Sequence, residues 1–370
     1  MKKKTLCIII GTRPEIIKLN KISQILKKEK KINCITLYTN QHKEIGKEFT
    51  RIFNYKFDYS LKREIHKKLS FEFVDKISDF LKKRQEIDSV MVMGDTLTGV
   101  TGAIAAYLNN KRIFYVESGL RTGDFNQPWP EEGFRKMMSH ISNVHFAPTK
   151  SNKRILISEG IKNKDIFVTG NPVIEAVKDG LKFLEKIKIK KKLNISLQKE
   201  FGFKLENFVL VTIHRRENFG EPFQKICENI NNISKIYKNL NFIYPVHPNP
   251  YINKKARDYF KKNKNVILIK PLDYFKFLRL MKLSKFIISD SGGIQEECSI
   301  LNKFVLLVRE KTERPEIKNK LVFIVGSNYK IFKKKFTFAL FNKPPKKYSK
   351  IFGDSNSAKN ICKIVTQKMR

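Results

Sequence analysis

The chain has 370 residues, enough for two domains of ordinary size, and 41% of them are hydrophobic, including 29 Phe, so substantial cores can form. No apolar stretch reaches the roughly eighteen residues that a membrane span needs. The five cysteines, Cys7, Cys34, Cys227, Cys298 and Cys362, are scattered with no Cys-x-x-Cys pair, which argues against a disulfide framework or zinc cluster and fits a reducing cytoplasm.

The charge balance is strongly basic: 75 Lys and Arg against 35 Asp and Glu, a formal net charge of +40. Such a balance raises nucleic acid as a partner. The lysines, however, are spread along the chain among Ile, Asn and Phe, as an AT-rich coding sequence would leave them on solvated surfaces. There is no helix-turn-helix pattern, no Cys/His finger and no RNA-binding aromatic signature, so neither nucleic acid nor a membrane is expected as a partner.

In chain order, short apolar runs alternate with longer amphipathic segments. Strands are predicted at 5–10, 34–38, 89–93, 112–116, 144–147 and 166–169, then at 208–213, 242–245, 266–269, 286–289 and 304–308. Helical patterns lie between them, as at 14–28, 97–109 and 219–237. The first apolar run is too short for a signal peptide and ends in a Gly-Thr-Arg-Pro turn, so a cytoplasmic protein is expected. Alternating strands and helices predict an α/β fold with two Rossmann-like parallel-sheet domains. The Lys-rich stretch 185–192 interrupts the pattern and puts the boundary between Asn171 and Asn194. The expected domains are 1–180 and 181–354, with a C-terminal helix in 355–370 packing back on the first.

The polar residues that could carry chemistry follow the strands, at the sheet edge where open α/β folds bind ligands. The first strand runs into Gly11-Thr12-Arg13-Pro14-Glu15-Ile16-Ile17-Lys18, where Arg13 and Lys18 could face an anion over a helix N-terminus. The third ends in Gly94-Asp95-Thr96 and the fourth in Glu117-Ser118-Gly119-Leu120-Arg121-Thr122. A lone Asp at such a place often caps a helix; two adjacent strands both ending in carboxylates are harder to explain as caps. Pro128-Trp129-Pro130-Glu131-Glu132 reads as a rigid loop entering a helix. In the second half, one strand ends in His214-Arg215-Arg216-Glu217-Asn218 and another in Pro245-Val246-His247-Pro248, where His247 is equally well structural. The run 286–289 leads into Asp290-Ser291-Gly292-Gly293-Ile294-Gln295-Glu296-Glu297, a Gly-Gly turn opening a helix that would favour phosphate. Arg309 to Glu316 forms a polar loop after what reads as the last strand.

The blocks GTRPEIIKL, GDT, VESGLRTGD, PWPEE, FVTGNPVIEAV, HRREN, YPVHPNP, SDSGGIQEE and TERPE, in this order, resemble the non-hydrolysing UDP-N-acetylglucosamine 2-epimerases over essentially the full length. The resemblance implies a GT-B-like pair of domains with the active site in the interdomain cleft, and a cytoplasmic homodimer making UDP-N-acetylmannosamine for surface polysaccharide. It implies reversible C2 epimerisation of UDP-N-acetylglucosamine by loss and return of UDP through 2-acetamidoglucal, with no metal, nicotinamide or other cofactor. Carried over residue by residue, Asp95, Glu117 and Glu131 are acid-base groups, and His214 assists at the diphosphate. Arg13, Lys18, Ser291, Gly292 and Gly293 hold phosphates. Glu297 takes the ribose hydroxyls, Arg314 the UDP moiety, and Phe277 flanks the uracil.

Three stretches depart from the family pattern. Tyr115-Val116-Glu117-Ser118 stands where HVEA is usual, and Gly133-Phe134-Arg135 where Ala-Asn-Arg is usual, which opens the question of the exact sugar. Of the QHxxM-like allosteric motif, Gln41 and His42 remain. The rival readings are a hydrolysing epimerase that releases N-acetylmannosamine and UDP, an epimerase of a related UDP-2-acetamido sugar, and, on charge alone, a nucleic-acid-binding protein.

Overall fold

Runs such as Leu6–Ile10 are apolar on every residue, which suits strands buried on both faces of a parallel sheet. The computed structural model describes residues 3–41, 55–62, 71–201, 205–345 and 350–369. It divides into two units, Met1–Ala176 with Phe352–Arg370, and Val177–Ile351.

The first unit runs β1 (Lys4–Ile10), α1 (Arg13–Lys27), β2 (Ile32–Tyr38), β3 (Tyr59–Ser60), α2 (Phe71–Lys83), β4 (Ile87–Met93), α3 (Leu97–Leu108), β5 (Arg112–Val116), α4 (Glu131–Ile141), β6 (Val144–Ala147), α5 (Lys150–Ser158) and β7 (Ile166–Val168). Its strands are parallel in the order β3-β2-β1-β4-β5-β6-β7. The boundary between units falls inside α6 (Val173–Leu184).

The second unit continues with α7 (Ile187–Phe201), β8 (Phe208–Thr212), α8 (Glu221–Ile236), β9 (Asn241–Pro245), α9 (Pro250–Phe260), β10 (Val266–Ile269), α10 (Tyr274–Leu283), β11 (Ile287–Ser289), α11 (Gly292–Leu301), β12 (Val305–Leu307), β13 (Val322–Ile324) and α12 (Tyr329–Phe341). Its sheet is also parallel, ordered β10-β9-β8-β11-β12-β13. Much of the chain's phenylalanine is spent here: Phe336 lies edge-on to Phe286 at 4.9 Å and stacks on Phe242 at 5.8 Å.

A last helix, α13 (Ser357–Lys368), belongs to the first unit and packs on α1, its Cys362 Sγ donating to Ile22 O at 3.6 Å. Three features differ from the sequence expectation. The two-residue β3 extends the first sheet, β13 follows the loop expected to come after the last strand, and the Lys-rich stretch is helical in α7.

Each sheet order reverses once, between β1 and β4 in the first unit and between β8 and β11 in the second. At such a switch point two neighbouring loops leave in opposite directions and open a crevice beyond the strand ends. The loops after these four strands carry Gly11–Lys18, Gly94–Thr96, His214–Asn218 and Asp290–Gly293. Among the described residues no helix is long and apolar enough to cross a membrane, and no cluster of His, Cys, Asp and Glu could hold a metal ion.

Candidate active site

In the first unit the carboxylates follow paired strands. Met93 pairs with Val116, so Asp95 and Glu117 leave the sheet side by side. Glu117 is buried and adopts φ 68°, a left-handed backbone that is costly for a residue with a side chain and is found where surroundings enforce it. Those surroundings are visible. Lys18 Nζ lies 2.5 Å from Glu117 Oε1, and Asn171 Nδ2 donates to the same oxygen at 2.8 Å. Lys18, expected at a phosphate, therefore lies on a carboxylate, with its ammonium buried.

Asp95 is half-buried and held by a buried arginine. Arg135 donates to Asp95 Oδ2 from Nη2 at 2.5 Å and from Nε at 3.1 Å, and from Nη1 to Glu132 at 3.0 Å. Glu132 is completely buried and accepts the Thr122 N–H at 3.2 Å and the Gly123 N–H at 3.1 Å. The chain Asp95–Arg135–Glu132–Gly123 thus ties the loops after β4 and β5 to the start of α4. Glu131 opens α4 and stands four residues before Arg135, on the same helix face. Tyr115 hydroxyl donates to Gly94 O at 2.7 Å, and burial pushes its acidity well down.

Glu15, which the sequence reading left without a role, joins the loops at the switch point. Its Oε2 accepts the Gly11 N–H at 2.7 Å, the Thr12 N–H at 2.8 Å and the Thr12 hydroxyl at 3.0 Å, while its Oε1 accepts the Thr96 hydroxyl. Burial raises its pKa to about 6, against the opposing pull of these donors. Gln41 Oε1 accepts from Thr98 N at 3.0 Å and from Thr98 Oγ1 at 2.7 Å, and so serves the first turn of α3. Its expected allosteric companion His42 lies outside the described residues. Arg13 is half-buried at the first position of α1.

The second unit repeats the arrangement with a histidine. Asp290, completely buried, follows β11, while His214 follows its neighbour β8. Asp290 Oδ2 accepts the His214 N–H at 2.9 Å, the Arg215 N–H at 2.8 Å and Asn218 Nδ2 at 2.9 Å, while Oδ1 lies 3.4 Å from His214 Nδ1. The imidazole stacks on His247 at 5.8 Å. Burial lowers the His214 pKa, and the Asp290 carboxylate opposes that shift. His247 is exposed and its Nδ1 accepts the Asn249 N–H at 3.2 Å.

The glycine pair divides its work. A methyl group added at Gly292 would stand 2.7 Å from Arg314 Nη1, so Gly292 makes room for an arginine of its own chain. At Gly293 nothing lies within 4 Å, so the space over this first turn of α11 is open to an anion. Arg314 is buried and anchored by Glu296 at 3.0 Å and by Glu313 at 3.1 Å. Arg309 joins Glu313 at 3.3 Å to Glu217 at 2.7 Å. Ser291 precedes α11 and is half-buried, as are Glu297 within it and Phe277 on α10.

Within the first unit the structure thus brings Asp95 and Glu117 to adjacent strand ends, with Glu131 on the face of the Asp95 clamp. Within the second it gathers His214, Gly292, Gly293 and Arg314 about the start of α11. Asn171, Glu15, Glu132, Arg135 and Asp290 are the further polar residues that fix these groups, and the quoted sequence blocks contained each of them or adjoined them.

Two doubly wound parallel sheets, each with polar loops at its switch point, define a GT-B-like α/β protein. The sequence profile described as UDP-N-acetylglucosamine 2-epimerase matches residues 24–366. The chain belongs to the UDP-N-acetylglucosamine 2-epimerase family. It is 38% identical over 338 residues to UDP-N-acetylglucosamine 2-epimerase of Campylobacter jejuni, covering 88% of this chain and 86% of that one. The crystal structure of UDP-GlcNAc 2-epimerase from Neisseria meningitidis bound to UDP-GlcNAc superposes with a TM-score of 0.91 at 34% identity, covering 98% of this chain and 100% of that one. The Methanocaldococcus jannaschii enzyme in complex with UDP-GlcNAc and UDP gives 0.88 at 34% identity, with 98% and 99% covered.

Proposed function

We propose that the protein interconverts UDP-N-acetylglucosamine and UDP-N-acetylmannosamine without hydrolysis. The C2–H bond of the sugar has no neighbouring ketone to acidify it, so the reaction proceeds by elimination. A carboxylate takes H2 as a proton, the C2–H electrons form the C1=C2 bond of 2-acetamidoglucal, and the C1–O electrons leave with UDP. UDP then returns to C1 while a proton is delivered to the opposite face of C2. No water is consumed and no net redox change occurs.

The observation that carries this reading is the fixing of Asp95 and Glu117, one strand apart, by Arg135 and Lys18. Each clamp fixes where a carboxylate stands, and a carboxylate is the form that accepts a proton. A positioned acid-base group supplies about 10²–10⁴ in rate, so stabilising the departing diphosphate must supply a large further share. The open first turn of α11, Arg314 and the His214–Asp290 pair suit that task. His214, oriented by Asp290, protonates or hydrogen-bonds the leaving phosphate oxygen. Arg13 and Ser291 add phosphate contacts, Glu297 binds the ribose hydroxyls and Phe277 flanks the uracil.

The enzyme works in the cytoplasm as a homodimer and feeds N-acetylmannosamine into surface polysaccharide. Incubation with UDP-N-acetylglucosamine followed by NMR tests the chemistry. UDP-N-acetylmannosamine in equilibrium with its epimer is the expected product. Accumulation of free N-acetylmannosamine and UDP assigns the chain to hydrolysis instead, and turnover of only another UDP-2-acetamido sugar reassigns the substrate.

A further inference from the structure

Glu117 needs more than its own backbone to hold its carboxylate, because its φ of 68° lies in a region that side-chain-bearing residues avoid. One clamp is Lys18; the other is Asn171, a completely buried side chain that comes from a distant part of the first unit. Asn171 is itself fixed from three directions. Its Oδ1 accepts the Val173 N–H at 3.0 Å, at the start of α6. Its own N–H donates to Phe352 O at 2.7 Å, on the C-terminal segment that returns to this unit. The preceding Gly170, at φ 80°, leaves no room for a side chain, since a methyl group there would stand 2.5 Å from Ser357 Oγ and 2.9 Å from Phe352 O.

These restraints leave the Asn171 amide with its oxygen committed to the backbone and its Nδ2 aimed at Glu117. An amide so oriented donates, and a donor at 2.8 Å holds the carboxylate in one rotamer. We propose that Asn171 is a positioning residue for Glu117, acting on the proton-transfer step and not on nucleotide binding. The inference rests on the epimerase reading above.

Two substitutions separate this role from simple capping of α6. Asn171→Asp keeps an oxygen for the Val173 N–H but replaces the donor facing Glu117 by a like charge. Asn171→Ser also keeps an oxygen for Val173 and is too short to reach Glu117. Both variants are expected to fold, to bind UDP as the wild type does, and to lose kcat by about tenfold or more, part of the 10²–10⁴ that a positioned acid-base group provides. In a Glu117→Gln background the further loss from either is expected to fall below about twofold, because residues acting through one group do not add. An Asn171→Asp or Asn171→Ser enzyme with wild-type kcat overturns the inference, as does an undiminished loss in the Glu117→Gln background. A wild-type enzyme that does not epimerise UDP-N-acetylglucosamine overturns the reading beneath it, and that result is scored separately.

Discussion

Arg135 and Asp95 meet through two guanidinium nitrogens on one carboxylate oxygen, Nη2 at 2.5 Å and Nε at 3.1 Å, while the third nitrogen of the same guanidinium binds the buried Glu132. The planar fork is what lets one side chain serve two carboxylates, and an ammonium cannot copy it. Arg135→Lys is therefore expected to leave Glu132 poorly paired in the interior. We expect a stability loss of about 3 kcal/mol, the lower range for breaking a buried ion pair, measured by urea unfolding. A variant as stable as the wild type would show that the clamp carries little.

Removing the carboxylate charges should separate chemistry from folding. Asp95→Asn, Glu117→Gln and Glu131→Gln change charge with little change in volume. Each variant should bind UDP in calorimetry and lose at least about two orders of magnitude in turnover, the lower end for a positioned acid-base group. Near-normal rates in all three would remove this cluster from the mechanism.

The two glycines opening α11 give opposite expectations. Gly292→Ala forces a methyl group onto Arg314, which two buried carboxylates hold in place, so both stability and UDP affinity should fall. Gly293→Ala meets nothing in the free protein and should hold or raise the thermal midpoint, since Ala is favoured over Gly in a helix by about 0.5–1 kcal/mol. Its UDP affinity should nevertheless drop, because the methyl group occupies the space assigned to phosphate. Unchanged UDP affinity in Gly293→Ala would move the phosphate site elsewhere.

Asp290 should act through His214. In Asp290→Asn the amide oxygen can still accept the His214, Arg215 and Asn218 donors, but an N–H replaces the carboxylate oxygen that lies 3.4 Å from His214 Nδ1. The imidazole then loses its anionic partner and the bias toward the Nδ1–H tautomer. Turnover should fall at least about a hundredfold with the fold retained, and the loss should be much smaller in a His214→Gln background. Equal losses in both backgrounds would separate Asp290 from His214.

Two buried groups in the first unit make opposing contributions to the pH dependence of stability. Glu15 titrates near pH 6 in the folded chain, above its usual 4.5, because burial penalises its charge. The folded state then binds more protons than the unfolded one between these values, so this group's contribution falls as pH rises from 4.5 to 6, by about 2 kcal/mol. His145 is buried and titrates near 4, below its usual 6.5, also chiefly through burial. Here the unfolded chain binds more protons, so stability rises with pH from 4 to 6.5, by about 3 kcal/mol. Urea midpoints across pH 4–7 should climb more steeply for Glu15→Gln than for the wild type, and less steeply for His145→Gln. Superimposable profiles would mean that neither group is perturbed as described.

Most of the architecture was legible because fully buried parallel strands leave apolar runs, such as 6–10 and 208–211, bounded by Gly or polar turns. β3, only Tyr59–Ser60, is too short to leave such a run, whereas β13 lies in the apolar run 321–325, which follows a polar loop and not a helical pattern. The Lys-rich stretch read as an interruption, yet α7 passes through it, because lysine costs little helix propensity. The family was legible in the order of its blocks. The contacts were not: Lys18 and Glu117 are 99 residues apart, and Glu117 and Asn171 are 54 apart. Periodicity reports a residue's face and says nothing of which distant side chain it meets. For that reason the contact of Lys18 with Glu117 was not legible, and Glu15 and Asn171 read only as parts of motifs.

Deuterium incorporation tests the central claim most directly. Wild-type enzyme incubated with UDP-N-acetylglucosamine in D2O should yield UDP-N-acetylmannosamine carrying deuterium at C2, with UDP and 2-acetamidoglucal detectable in small amounts by NMR. Epimer that retains protium at C2, or free N-acetylmannosamine and UDP as the end products, would contradict elimination and return of UDP.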